Sequence, residues 1–187
     1  MRQALLATVL VIAAACGKGS GGTKDSYPQK DDPENLAGLL QTIAGAAENG
    51  DAKKAGAMTR ALIPDAGAYR KALREDVPKE VLDRLVGNLA MLPTDDARLA
   101  TLIRRGDPTQ TRVNVHGATP EEIQAGATPA AGEFRDARDK AGLLRPGLRF
   151  YEAEFVAPGE DLGMKYHLFF WDGSRWRMLG PIWRSLE

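Results

Sequence analysis

The sequence predicts an α+β domain in which N-terminal helices pack on a C-terminal antiparallel sheet. Three observations lead there. Apolar residues recur at helical spacing from Asp32 to about Arg104, they alternate from Leu148 onward, and the last forty residues hold all three tryptophans and most of the other aromatic side chains.

Ahead of that domain, Arg2 is followed by the apolar run Ala4 to Ala14. The run suits a secretory signal and falls short of the roughly 20 apolar residues a membrane-spanning helix needs. Ala14 and Ala15 stand directly before Cys16, the only cysteine in the chain, and Gly17 follows. A single thiol in an oxidising compartment has no disulfide partner. Small residues immediately before a cysteine resemble the lipobox of bacterial lipoproteins. That resemblance implies cleavage before Cys16, a diacylglycerol on its sulfur and a place in the bacterial cell envelope. An ordinary signal peptide cut beside a cysteine is the alternative. Gly17 stands where inner-membrane retention uses an aspartate in well-studied envelopes, so the outer membrane is expected over the inner. The organisation expected is therefore a signal over residues 1–15, a lipidated cysteine and flexible tether over 16–31, and one domain over 32–187. Fifteen Gly, Ser, Lys, Asp and Pro-rich residues reach roughly 20 Å.

Loss of residues 1–15 removes one charge, Arg2, and leaves 24 basic against 25 acidic residues. A near-neutral chain carries no field that would draw it to nucleic acid.

Asp32-Pro33-Glu34 opens the first helix with a capping aspartate and a proline at the first position, and Leu36, Leu39, Leu40, Ile43 and Ala47 form its stripe before Asn49-Gly50. Asp51 caps a second helix that runs to Pro64. Helices are expected at 66–74, 79–91 and 95–104, the last capped by Thr94. Thr111, Val113 and Val115 alternate with polar residues and predict a strand. Thr119-Pro120-Glu121-Glu122 has the spacing of a capping box, and Thr128-Pro129 opens a helix expected to reach Leu144.

Three strands are expected after that, at 148–157, 164–171 and 175–184, joined by a longer loop and by the turn Asp172-Gly173-Ser174. Closing the last hairpin on Gly173 pairs Phe170 with Trp176 and Leu168 with Met178. One sheet face then carries Tyr151, Phe155, Tyr166, Phe170, Trp176 and Met178. The other carries Glu152, Glu154, Lys165, His167, Phe169, Trp171, Arg175 and Arg177.

The helix, Asn49-Gly50-Asp51, helix unit over Leu39 to Ile63 and the hairpin from Tyr166 to Trp176 resemble the NTF2-like, cone-shaped α+β group, SnoaL-like members included. An α+β envelope domain outside that group is the alternative. Such domains often keep a pocket on the sheet, which makes Tyr151, Phe155, Tyr166, Phe170, Trp176 and Met178 candidates for a small apolar ligand unless the helices fill that face. Phe169, Trp171, Arg175, Arg177 and Trp183 are candidates for a protein partner, since Trp and Arg are rich in interface hot spots.

No phosphate loop, serine elbow, HExxH or cysteine pair is present. With two histidines fifty residues apart, a zinc site is not expected, and neither is a cofactor. His167 with Glu154 as its cross-strand neighbour is the one acid–base pairing the register offers. A solvated sheet face is the simpler reading of that pair, as it is of Glu133, Asp136 and Asp139 among Arg135, Arg138 and Lys140. The function expected is non-catalytic binding by a tethered envelope lipoprotein. Its rival is a small isomerase or dehydratase-type enzyme using Tyr151, Tyr166 or a carboxylate.

Overall fold

The computed structural model describes residues 27–186; Cys16, the signal segment and most of the tether lie outside them. Helix α1 spans Pro33–Glu48 and α2 spans Ala52–Leu62. Asp32 and Asp51 cap them by accepting the backbone N–H of Asn35 and Lys54. Helices α3 (Ala66–Ala72) and α4 (Lys79–Asn88) follow, and then α5, a single turn over Asp96–Leu99. Strand β1 covers Arg112–Ala118. Helix α6 (Pro120–Ala125) starts on the capping box, Thr119 and Glu122 satisfying each other's backbone N–H, and α7 occupies Pro129–Gly132. Strands β2 (Phe150–Val156), β3 (Gly163–Trp171) and β4 (Trp176–Met178) complete one antiparallel sheet in the order β1-β2-β3-β4.

Three expected elements come out shorter or tighter. The helix expected over 95–104 is α5 alone, capped by Asp95 rather than Thr94. After α7 the chain tightens into a 3-10 stretch, Arg135–Leu143. Strand β4 stops at Met178 because Gly180 takes φ +70° and Pro181 has no N–H to extend the ladder, and the chain ends in a 3-10 turn over Ile182–Ser185.

Both faces of the sheet are covered, and a separate core fills each. On one face Leu36, Leu39, Leu40 and Ile43 of α1 and Met58 and Leu62 of α2 pack on Tyr151, Ala153, Phe155, Phe169 and Trp176. On the other, Tyr69, Ala72 and Leu73 from α3 and its end, Leu85, Ile123 and Phe134 pack on Phe150, Leu168, Phe170 and Ile182. Strand β2 lies between them and is buried along its whole length.

The expected register of β3 is corrected by a bulge. Tyr151 faces Phe169 and Ala153 faces Tyr166, so His167 and Leu168 together oppose the single residue Glu152. Two residues against one reverses the inside-outside alternation beyond that point. Phe170 therefore joins the core under α3, α4 and α6, while Phe169 and Trp171 turn toward α1 and α2. The last hairpin closes with Trp171 opposite Trp176 and Phe170 opposite Arg177, rather than Phe170 opposite Trp176.

A candidate binding groove and a buried acid pair

The chain enters the fold along the free edge of β4. Gln29 Oε1 accepts the Trp176 backbone N–H at 3.1 Å, and Asn35 Oδ1 accepts both the Trp176 indole N–H at 3.1 Å and the Lys30 backbone N–H at 3.0 Å. The Asn35 amide in turn donates to the Pro28 carbonyl at 2.9 Å. These bonds cover an edge that would otherwise be open for pairing.

Beside this segment, between α2 and the β3–β4 hairpin, lies a groove of about 640 Å³. Its apolar lining comes from Leu39, Met58, Ala61, Leu62 and Trp176; Tyr27 and Gln29 border it on the chain-entering side. Helical spacing explains the wall: Lys54, Met58, Ala61 and Leu62 recur at three and four residues and fall on one side of α2. Lys53, Lys54 and Arg175 also line it, with Asp51 as the acid. Among the described residues none of the three cations has a carboxylate within ion-pairing distance, whereas Asp51 already accepts the Lys54 N–H at 3.0 Å. Two lysines in the first turn of α2 oppose the helix dipole. That local misfit is the one trace of the groove carried by the sequence of α2 itself.

The hairpin that carries Arg175 and Trp176 is held firmly. Asp172 Oδ1 accepts the Ser174 hydroxyl and N–H and the Arg175 N–H, and Oδ2 accepts Arg177 Nε at 2.8 Å. Burial works to raise the Asp172 carboxyl, but Arg177 and Ser174 outweigh it and hold it well below the usual carboxylate range. Arg177 reaches on to the Ile63 carbonyl at 2.8 Å, and Lys71 donates to the Asp172 carbonyl at 2.7 Å.

Of the six residues expected to line a pocket on the sheet, Trp176 alone borders this groove. Tyr151 and Phe155 are core under α1 and α2, Phe170 is core on the opposite face, and Met178 is half-buried against the first core. Tyr166 is tied down, its hydroxyl donating to the Arg104 carbonyl and accepting the Arg104 N–H, both at 2.8 Å. The five residues expected to face a partner do not share one exposed surface. Phe169 is 0% exposed, Arg177 is bound to Asp172, and Trp171 and Trp183 pack against opposite cores. Only Arg175 of that set is freely exposed.

The polar face of the sheet is not solvated as expected. Glu152 and Glu154 are 1% and 5% exposed. His167 pairs with Glu152 rather than Glu154: its Nδ1 lies 2.5 Å from Glu152 Oε2. The bulge makes this possible, since Leu168, at φ +55°, donates its N–H to Glu152 Oε1 at 3.3 Å. A leucine in left-handed backbone is strained, and the buried carboxylate is what holds it. Burial pushes the Glu152 carboxyl up, against the pull of His167, the Leu168 N–H and Lys165. Trp183 closes over His167 edge to face at 4.9 Å, and His116 stands opposite Glu152 on β1. Next along the face, Lys165 bridges Glu133 at 2.7 Å and Glu154 at 3.7 Å. Burial lowers the Lys165 ammonium pKa, yet the three glutamates around it raise it overall. Glu133 is thereby drawn out of the charged helix surface expected for it.

Among the described residues no cluster of histidine, cysteine and carboxylate side chains is arranged to hold a metal, and no helix is long and apolar enough to cross a membrane. No protein-family model, curated protein or solved structure matches the chain.

Proposed function

We propose that the chain is an envelope lipoprotein, lipidated on Cys16 and held on a bacterial membrane, the outer one favoured, whose domain binds a small apolar ligand without transforming it. The observation that carries the binding half is the groove between α2 and the β3–β4 hairpin, an apolar hollow of about 640 Å³, within the roughly 300–1,000 Å³ typical of small-molecule sites. Supporting the address are the lipobox-like residues before Cys16 and a chain that enters the domain at the groove's own border. Replacing Cys16 with serine is expected to abolish radiolabelled lipid incorporation and leave an unprocessed precursor. Unchanged processing and membrane association would end the lipoprotein reading. For the groove, an apolar fluorophore should bind the full chain and lose its signal in Ala57→Trp, where an exposed side chain on the groove wall is enlarged to fill it.

An NTF2-like arrangement is the fold-family reading we favour for α1, α2 and the sheet. The helical pair lies on one face of an antiparallel meander, as that group would have it. The second layer of helices, α3, α4 and α6, is an addition to it.

One observation favours a different class of function, a small acid–base enzyme: the Glu152 carboxyl, buried in the sheet, touches the His167 imidazole. That reading needs solvent and substrate to reach His167. Diethylpyrocarbonate should then modify it as fast as a free histidine, whereas slow modification fits the structural role it has under Trp183.

A further inference from the structure

We infer that the ligand of the groove is a long-chain amphiphile with a single acyl chain and an anionic head, chemically a fatty-acid carboxylate. This rests on the binding reading above and adds the head group to it.

The lining divides by chemistry. Leu39, Met58, Leu62 and Trp176 supply an apolar floor that leaves buried methylene groups out of water, at about 25 cal/mol per Å² of apolar surface. At its margin stand Lys53, Lys54 and Arg175 against one acid, Asp51, whose Oδ1 is engaged with the cap of α2. Fewer than half of the other described lysines and arginines have carboxylate neighbours, among them Arg60 with Asp96, Arg74 with Asp76, Lys79 with Asp83, Lys165 with Glu133 and Arg177 with Asp172. The groove cations have none among the described residues. In a chain with balanced charge, three unneutralised cations around an apolar hollow form a local field suited to a negative head.

Two further features narrow the class. Lys53 and Lys54 occupy the first turn of α2, where a cation opposes the helix dipole, so their position serves neither the helix nor an ion pair within the described fold. The volume of about 640 Å³ has room for one acyl chain with its head, and a phospholipid with two chains exceeds it. The head would meet the lysines and Arg175 at the margin while the chain lies along Met58 and Trp176.

The test is photo-crosslinking in phosphatidylcholine vesicles carrying the full chain, with diazirine-bearing hexadecanoate and, in parallel, diazirine-bearing hexadecanol, the adducts located by mass spectrometry. The acid is expected to label peptides containing Met58 and Trp176 at least tenfold more than the alcohol. The triple variant Lys53→Gln, Lys54→Gln, Arg175→Gln, all on side chains outside both cores, should lose that preference while keeping the thermal unfolding curve of the parent. Ala57→Trp should lose labelling by both probes. Equal labelling by acid and alcohol would overturn the anionic head and leave the apolar groove standing. No labelling of groove peptides by either probe, or full labelling in Ala57→Trp, would overturn both. Displacement of the acid by phosphatidylglycerol in the vesicles would reject the single-chain ligand in favour of a membrane lipid.

Discussion

Glu152 is a carboxylate placed where a sheet normally admits none, and its partners explain why it is tolerated. It accepts the N–H that the bulge frees at Leu168 and is hydrogen-bonded to His167 Nδ1. Because burial raises its folded-state pKa, the stability linked to it is present below the ordinary glutamate range and is lost as pH rises through the higher folded value. Urea unfolding of Glu152→Gln across pH 4 to 8 is expected to show a flatter profile than the parent at the upper end. Parallel curves would mean that the carboxyl stays ionised in the fold. Asp172 has the opposite sign. Its carboxyl is held low by Arg177 and Ser174, so its contribution is present above the ordinary aspartate range and is lost as pH falls through the depressed value. Asp172→Asn leaves Arg177, 11% exposed, with one fewer charge partner. A loss of about 3 kcal/mol, the range seen when a buried pair is broken, is expected in denaturant unfolding at pH 7, with a smaller difference in strong acid.

At the scale of elements, helix starts were legible because caps are local. Asp32-Pro33, Asp51 and Thr119-Pro120-Glu122 each act within four residues of themselves, and all three helices begin there. Strand existence was legible for the same reason, through alternation. The phase of β3 beyond Tyr166 was not, since the bulge depends on a carboxylate fifteen residues earlier in the chain, and no local pattern announces it. The groove escaped notice because its wall comes from α2 and its margin from a hairpin more than a hundred residues away. One contact between elements makes a direct prediction. Gly56 on α2 lies against the backbone of Asp96 at the start of α5, where an added Cβ has no room. Gly56→Ala is expected to destabilise by about 1–3 kcal/mol through forced separation of the two helices, despite alanine's better helix propensity, and thermal unfolding checks this.

For the whole molecule, the decisive arrangement is a sheet sandwiched between two helical layers, with β2 buried from end to end. Each core takes about a third of its buried members from Phe150 onward, and both rest on β2 and β3. The hairpin tip then ties the layers together, Arg177 reaching the end of α2 and Lys71 of α3 reaching Asp172.

That late placement of β2, β3 and β4 has a consequence for how the chain is made. Until residues 150–178 have been synthesised, α1 and α2 lack the strands β2, β3 and β4 that their apolar stripes cover, and isolated helices of their length are marginal in water. A nascent chain therefore gains these contacts only late in its synthesis. Chains ending at Arg145 are expected to be digested by trypsin within minutes under conditions that leave the full domain intact. Resistance in such a truncated chain would place a self-sufficient core among the helices.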